Sequence, residues 1–162
     1  IKSGHFDFSD LKYMELSDAE LEKYRLNVGD ILINRTNSLE LVGKSAVFQK
    51  EEGDWVFASY LVRLVVDSSK AIPEFVNASI NSRIGRAYVY ATARRAIGMV
   101  NINAKEIAKM PLPLPSLEKQ AQIVSQIKEA RIASQSLLEE LDIKAIESLP
   151  NSILRKAFAG EL

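Results

Sequence analysis

Two short clusters of arginine, asparagine and hydroxyl side chains offer most of the chemistry in this sequence. The first lies just past a short apolar run and comprises Arg35, Thr36, Asn37 and Ser38. The second comprises Arg94, Arg95, Asn101 and Asn103. Arginine can donate two hydrogen bonds to guanine, and asparagine can exchange two with adenine. Loops at strand ends expose such groups, so the two clusters predict contacts with base edges.

A basic stretch surrounds the second cluster. The 162-residue chain is neutral as a whole, with 21 Lys and Arg against 21 Asp and Glu. Residues 81–109 nevertheless contain six basic side chains and one acidic one, namely Arg83, Arg86, Arg94, Arg95, Lys105 and Lys109 against Glu106. A local positive patch on a neutral chain is typical of a site-specific nucleic-acid reader. The alternative interpretation is an ordinary solvated helix face.

The basic stretch is predicted to lie on a helix that begins at Pro73. Apolar residues recur there at helical spacing, at Val76, Ile80, Ile84, Ala87 and Ala91. A basic and aromatic strip lies beside them on the same projection, at Arg83, Arg86, Tyr90 and Arg94. One edge of this helix would pack while the other presents guanidinium groups, although Gly85 costs it about 1 kcal/mol of helix propensity.

The elements that must position these residues belong to the α+β class. A strand is predicted at residues 31–33 and is expected to end at the cluster 34–38, and further short strands are predicted at 45–48, 56–58 and 61–66. Asn103 and Glu106 form a capping-box pattern that predicts a brief helix through Lys109. We therefore expect a mixed globular domain with helices and a small β-sheet of three to five strands.

A long helix is predicted to follow this domain. Three prolines between residues 111 and 115 form a stiff connector, and Ser116 can cap a helix over 117–147. A heptad seam alternates spacings of four and three along it and is weakened by Ala130 and Ser134: Ile123, Ile127, Ala130, Ser134, Leu137 and Leu141. Pro150 is expected to interrupt the chain before a short C-terminal helix over 152–158, capped by Gly160.

This organisation predicts three segments: a globular domain over 1–110, a connector over 111–115, and the spacer helix with the C-terminal helix over 116–162. The seam requires a partner helix from a second copy, from another subunit or from another part of the same protein. A core-facing helix in a folded-back bundle remains the alternative.

Several classes of active site are excluded or disfavoured. The chain has no cysteine and one histidine, His5, which rules out thiolate and multi-histidine metal sites. Gly43-Lys44-Ser45 lacks the earlier glycine of a phosphate-binding loop, because position 38 is serine. The acidic residues between 7 and 22 have the spacing of a solvated face. We therefore expect no catalytic residue, metal or cofactor, and, without an apolar run of about 20 residues, a cytoplasmic protein.

Three stretches carry a family resemblance. Residues 26–38, followed by Val42 to Ala46, resemble the target recognition domain of type I restriction-modification DNA specificity subunits. Residues 101–107, 110–120 and 123–124 are similar to that family's passage into its spacer helix. The ending, residues 149–162, resembles the tail of such subunits.

The resemblance implies a non-catalytic subunit that binds double-stranded DNA. It would direct adenine methyltransferase subunits and a restriction and translocase subunit to a two-part target, and those partners would carry the S-adenosylmethionine, magnesium and ATP chemistry. The long helix would act as a ruler between half-sites and dock the methyltransferase. Family members usually have two recognition domains, so this chain is expected to be a C-terminal half, or a half-length subunit that pairs as a homodimer. Its start without methionine suggests a processed or excised fragment.

Specific residues are assigned to these roles. The predicted DNA-binding residues are Arg35, Thr36, Asn37, Ser38, Lys44, Arg83, Arg86, Tyr90, Arg94, Arg95, Asn101 and Asn103, and Lys2 and Lys12 are further candidates for phosphate contacts. The predicted helix-pairing and docking residues are Ile123, Ile127, Ala130, Leu137 and Leu141. Two alternatives stay open: a dimerising coiled-coil adaptor whose globular domain binds protein or RNA, and an enzyme with an unrecognised site.

Overall fold

The structure is a computed structural model that describes residues 1, 4–9 and 11–159, with side chains as far as residue 141. The chain divides into two compact units, 1–121 and 122–162. Its elements are α1 (Asp18–Tyr24), β1 (Ile31–Asn34), β2 (Thr36–Asn37), β3 (Ser45–Val47), β4 (Leu61–Leu64), α2 (Pro73–Asn81), α3 (Arg83–Thr92), β5 (Arg94–Ala96), β6 (Met99–Asn101), α4 (Ala104–Ala108) and α5 (Leu117–Ala159). The predicted α+β class is confirmed.

The first sheet has the antiparallel order β3-β1-β4 and contains the predicted strand 31–33 at its centre. Ile31 and Ile33 belong to the main core, which α2, α3 and α4 help to form. Leu32 contributes to a second core with Leu26 and Phe48. Because successive side chains on a strand alternate between faces, a strand covered on both sides is apolar throughout. This explains why the run does not alternate with polar residues.

The helix predicted to begin at Pro73 is divided into two. Ser82 adopts an extended conformation with φ −64° and ψ 166°, and its side chain accepts a hydrogen bond from the backbone N–H of Gly85 at the start of α3. The predicted apolar stripe is therefore wrong beyond Ile80: Ile84 is 76% exposed, while α3 buries Gly85 and Val89. Because an extended residue separates the two helices, the spacing that places residues of α2 on one face does not continue into α3, and other residues of α3 face the core.

Gly85 permits the close approach of α3 to the end of α2. A Cβ atom added to Gly85 would lie 2.3 Å from the carbonyl oxygen of Ile80 and 2.5 Å from that of Ser79. Both atoms are backbone and cannot move aside as a flexible side chain would. The helix propensity lost at this position therefore allows a contact that no other residue type can make.

The second sheet has the antiparallel order β2-β6-β5, and the sequence patterns did not predict it. Strands β5 and β6 form a hairpin in which Ala96 pairs with Met99 across the turn residues Ile97 and Gly98. Gly98 has a φ of +78°, a conformation that glycine adopts without strain. Arg94 therefore lies on a strand, and its predicted place on a helical strip with Tyr90 is wrong because α3 ends at Thr92.

Two other strand boundaries differ from the prediction. The first predicted strand is followed by a second, β2, within the polar cluster that was expected to be a loop. Residues 56–58 form no strand, and Val56 makes a single antiparallel bridge with Arg25. Isolated bridges and two-residue strands depend on which chain segment lies alongside, and periodicity does not report this.

The proline connector and the first turn of α5 are part of the first unit. Met110 is buried and Leu112 packs against the main core. Gln120 is fully buried: its Oε1 accepts a hydrogen bond from the N–H of Ile72 at 2.9 Å, and its Nε2 donates to the carbonyl of Pro115 at 2.8 Å. Such paired contacts satisfy the buried amide.

Helix α5 begins as predicted, with Ser116 Oγ accepting a hydrogen bond from the N–H of Lys119 at 3.3 Å. The predicted interruption at Pro150 is wrong, because the backbone remains helical to Ala159. A proline inside a helix removes one hydrogen bond at a cost of about 3 kcal/mol, which a long helix can absorb. The predicted cap, Gly160, lies outside the described residues. Within the described chain, no helix has an apolar stretch long enough to cross a membrane.

Candidate nucleic-acid interface

The second sheet brings the two predicted polar clusters together. Across it, Thr36 on β2 pairs with Asn101 on β6, which pairs with Arg94 on β5. Directly paired residues of antiparallel strands lie on the same face of a sheet. The side chains are also linked, since Asn101 Nδ2 donates a hydrogen bond to Thr36 Oγ1 at 2.6 Å. Hydroxyl, amide and guanidinium groups therefore form a row on one face.

The opposite face of this sheet is attached to the domain. Val100 is 8% exposed and belongs to the main core, and its partners across the sheet are Asn37 and Arg95. Asn37 Oδ1 accepts a hydrogen bond from the N–H of Ser38 at 2.8 Å, which shapes the end of β2. Arg95 is exposed, because β5 is the edge strand and extends past the core. The burial of Val100 therefore attaches the second sheet to the main core, while its edge strand β5 remains accessible to solvent.

Arg35 is positioned by its backbone. Its N–H donates to the carbonyl of Tyr60 at 2.9 Å, and its carbonyl accepts from the N–H of Ile102 at 2.9 Å. The side chain of Arg35 is exposed. Tyr60 is itself 56% exposed, so an aromatic ring lies in the loop next to the arginine. Sequence reasoning did not identify Tyr60, because only the fold brings residue 60 beside residue 35.

The tip of the β5–β6 hairpin carries two exposed apolar side chains that sequence reasoning also missed. Ile97 is 106% exposed relative to its reference state, and Met99 is 55% exposed. The sequence signal for this hairpin was Gly98, which lies between the apolar pairs Ala96-Ile97 and Met99-Val100. Isoleucine before glycine is not a strong hairpin signal, since asparagine and aspartate are preferred there.

The charge of this surface remains positive. Arg94 Nε lies 3.7 Å from Glu106 Oε1, and the two side chains are 80% and 22% exposed. Exposed ion pairs of this kind contribute about 0–1 kcal/mol and are screened by salt. Glu106 Oε2 also accepts a hydrogen bond from the backbone N–H of Asn103 at 2.9 Å. Arg94 can therefore exchange this partner for a phosphate at little cost.

Arg86 and Tyr90, predicted to contact DNA, are engaged within the domain. Arg86 Nη1 donates a hydrogen bond to the carbonyl of Val42. Arg86 Nη2 donates to the carbonyl of Glu40 at 3.1 Å and to Tyr90 Oη at 3.1 Å. The guanidinium also lies 4.8 Å from the centre of the Tyr90 ring. These contacts attach the loop between β2 and β3 to α3. Arg86 and Tyr90 therefore hold that loop in place.

Lys44, Asn103 and Ser38 also have local partners. Lys44 Nζ lies 3.6 Å from Glu40 Oε1, and its side chain is 23% exposed. Asn103 Oδ1 accepts from the N–H of Glu106 at 2.9 Å, which confirms the predicted capping box. The carbonyl of Ser38 accepts from the N–H of Val42 in a tight turn. The side chains of Lys44 and Asn103 are therefore less available than those of the sheet, whereas Ser38 bonds through its backbone and is exposed.

Arg83 and Lys12 lie outside the β2-β6-β5 sheet. Arg83 is exposed in the first turn of α3. Lys12 is exposed in the N-terminal segment, and Lys2 lies outside the described residues. None of the contacts described for the β2-β6-β5 sheet involves Arg83 or Lys12.

The Gly43-Lys44-Ser45 sequence has a packing role. Gly43 has a φ of +72°, and a Cβ added there would lie 2.7 Å from both methyl groups of Val89. Ser45 is fully buried and its Oγ donates to Asn77 Oδ1 at 2.8 Å. Glycine and serine at these positions therefore allow the turn after β2 to approach α3 and α2.

The end of the acidic N-terminal segment forms the solvated helix α1. α1 begins with a capping box between Ser17 and Glu20 and buries no residue. Hydrogen bonds from Ser17 lower the pKa of Glu20. Similarly, hydrogen bonds from Ser69 and Lys70 lower the pKa of Asp67 to about 2. No group of three or more potential metal ligands is found within the residues that the structure describes.

The heptad seam of α5 presents an apolar stripe. Ile123 and Ile127 are half-buried, whereas Ala130, Leu137 and Leu141 are exposed. Leu138, which was not part of the predicted seam, is 60% exposed beside Leu137 and Leu141. Contiguous exposed apolar side chains on a helix are typical of a surface that another helix covers.

The sequence is similar to known proteins over most of its length. The family profile described as Type I restriction modification DNA specificity domain matches residues 7–147. The Type I restriction enzyme EcoKI specificity subunit of Escherichia coli (strain K12) is 28% identical over 166 residues, covering 100% of this chain and 36% of that protein. The Type I restriction enzyme StySPI specificity subunit of Salmonella potsdam is 30% identical over 152 residues, covering 92% of this chain and 33% of that protein.

A solved structure shares the fold. The HsdS subunit from Thermoanaerobacter tengcongensis superposes with a TM-score of 0.61 over 83% of this chain and 33% of that one, at 18% sequence identity. This chain spans about a third of the length of the curated relatives that it matches. Because the family profile covers most of the sequence, the chain belongs to the type I restriction-modification DNA specificity family.

Proposed function

We propose that this chain reads one half-site of a two-part sequence in double-stranded DNA, catalyses no reaction itself, and docks adenine methyltransferase subunits through α5. The restriction and translocase subunit would join the same assembly, and the partner subunits would supply the catalytic chemistry. The observation that carries the proposal is the β2-β6-β5 sheet, whose Thr36, Asn101 and Arg94 form one row.

The chemistry of that row suits base edges. The bond to Thr36 uses one of the two N–H groups of the Asn101 amide, and it orients the other N–H together with Oδ1. An amide that presents one donor and one acceptor matches N7 and the amino group of adenine. A two-stranded ribbon fits the major groove, so the hairpin can carry Asn101 to the bases while Arg94 and Arg95 contact phosphates.

The docking part of the proposal is supported by the stripe on α5. Leu137, Leu138 and Leu141 are each more than half exposed, which favours a helical partner. A methyltransferase subunit and a second copy of the chain both fit that requirement. The same stripe also favours the alternative function, a dimerising adaptor whose globular domain binds protein or RNA.

The test is enrichment of a random duplex library by this chain together with its cognate methyltransferase subunit, with sequencing after washes at two salt concentrations. We expect recovery of a short fixed sequence, single or repeated as a two-part palindrome. Binding should weaken steeply with salt, since each phosphate contact contributes about 0.9 to the slope of log K against log salt concentration.

Other outcomes would contradict the proposal. Duplex binding without sequence preference, or no binding, would favour the adaptor function. Methyl transfer or DNA hydrolysis by the purified chain alone would indicate an unrecognised active site. A parallel enrichment with random single-stranded RNA provides the matched control, because an RNA-binding adaptor would enrich that library instead.

Charge placed within the seam is expected to abolish helix pairing. In the double variant Ile127→Asp and Leu137→Asp, two carboxylates would enter an apolar contact and lose hydration without gaining a partner. The measurement is the mass of the chain, alone and with the methyltransferase subunit, by light scattering after gel filtration.

The matched control places two carboxylates off the seam, in Ile132→Asp with Ser136→Asp. Both of these positions are exposed on α5. This control should keep the association of the original chain. A dimer or partner complex that persists in the seam variant would mean that another surface mediates pairing.

A further inference from the structure

The β5–β6 hairpin ends in an isoleucine that contributes nothing to the folded domain. Ile97 is 106% exposed and is one of two residues in the hairpin turn, beside Gly98. Hairpin turns favour glycine, asparagine and aspartate, which are polar or conformationally permissive. A β-branched apolar side chain has no advantage for turn formation here. Its place at the tip therefore suggests contact with something outside the domain.

The neighbours of this isoleucine identify the kind of partner. Arg94 and Arg95 lie on the strand that leads into the turn, and Met99, 55% exposed, lies on the strand that leaves it. Asn101 and Thr36 continue the same sheet. An apolar tip between arginine side chains and base-reading groups is complementary to a nucleic-acid duplex, whose phosphates are anionic and whose base pairs are apolar on their faces.

We propose that Ile97 acts as an apolar wedge, inserting between adjacent base pairs of the bound duplex and partly unstacking them. This inference rests on the proposed DNA-reading function and adds a specificity element to it. Arg94 and Arg95 hold the backbone on either side of the opened step. Because base steps differ in the ease with which they unstack, the wedge favours flexible pyrimidine–purine steps without forming hydrogen bonds to them.

The experiment uses the chain with its cognate methyltransferase subunit and a 30-base-pair duplex taken from the library enrichment. 2-Aminopurine is placed in turn at each adenine of that duplex, because its fluorescence rises when its stacking is lost. The original chain should raise the fluorescence at one step besides the target adenine, which methyltransferases flip out of the duplex. Ile97→Ala should abolish that rise and weaken binding roughly 10- to 100-fold, the effect of removing three methyl- or methylene-sized groups from an apolar contact.

The salt dependence separates the wedge from charge contacts. Ile97→Ala should leave the slope of log K against log salt concentration unchanged, because it removes no cation. Arg95→Ala should lower that slope by about 0.9. Ile84→Ala is the matched control, since Ile84 is also a highly exposed isoleucine but lies on α3. It should bind and unstack DNA as the original chain does.

Four results would overturn the wedge. Unchanged affinity and fluorescence in Ile97→Ala would do so while leaving the DNA-reading function intact. A loss of affinity in Ile97→Ala, with no fluorescence rise in the original complex except at the target adenine, would indicate a surface contact, such as one with a thymine methyl group. Weaker association with the methyltransferase subunit, at unchanged duplex affinity, would assign Ile97 to a protein interface. Failure of the original chain to bind any duplex would overturn both proposals together.

Discussion

Gly85→Ala is expected to lower the free energy of unfolding of the globular unit by about 3 kcal/mol. The added methyl group would lie 2.3 Å and 2.5 Å from the carbonyl oxygens of Ile80 and Ser79, so α3 must shift away from α2. That shift would loosen the contacts of Val89 with the main core. Urea denaturation of the 162-residue chain, followed by circular dichroism, measures the change.

This prediction opposes the one from helix propensity. Glycine to alanine inside a helix normally stabilises by about 1 kcal/mol, so the two arguments differ in sign. Gly98→Ala is the matched control, because nothing lies within 4 Å of a Cβ added there. Its φ of +78° should cost only about 1–2 kcal/mol. An unchanged or increased stability of Gly85→Ala would mean that α2 and α3 are not packed as described.

The double variant Arg94→Ala and Arg95→Ala is expected to weaken duplex binding roughly 10- to 100-fold at physiological salt. Both side chains lie on the edge strand β5, and Arg94 has only a weak, exposed ion pair with Glu106 to give up. Losing two phosphate contacts should also lower the salt slope by almost 2. Fluorescence anisotropy titrations at several salt concentrations would measure the affinity and the slope together.

The matched control is Lys23→Ala, which removes a basic side chain from α1 on the acidic N-terminal segment. It should change neither affinity nor slope beyond a small general effect of charge. Circular dichroism should show that the arginine variant remains folded, since both of its substitutions are exposed. Equal affinities of the double variant and the original chain would remove β5 from the DNA-binding surface.

Local patterns in the sequence determined several elements without reference to the rest of the fold. The apolar run at residues 31–33 predicted β1, because burial on both faces demands apolar residues at every position. Asn103 and Glu106 predicted the start of α4, since a capping box needs only residues three apart. Ser116 predicted the start of α5 for the same reason. Each of these signals is complete within one turn or one strand.

The tertiary structure alone decided which candidate residues act together. Asn101 and Thr36 are 65 residues apart, and their pairing depends on where α2, α3 and the hairpin bring β6. Arg86 appeared equivalent to Arg94 by spacing, yet its donors bind backbone carbonyls of a loop 44 and 46 residues earlier. Local periodicity contains no information about which distant carbonyl a guanidinium will meet.

The division between α2 and α3 also could not be predicted from local spacing. Helical spacing continues through Ser82, but Gly85 can pack against the end of α2 only if the chain turns there. That turn changes which residues of α3 face the core, and the end of α3 at Thr92 then places Arg94 and Arg95 on a β-hairpin. Local sequence patterns were sufficient to identify the family, the class of fold and the kinds of side chain available for binding. Long-range packing determined which of them form one surface, because contact between distant segments is a property of the folded chain.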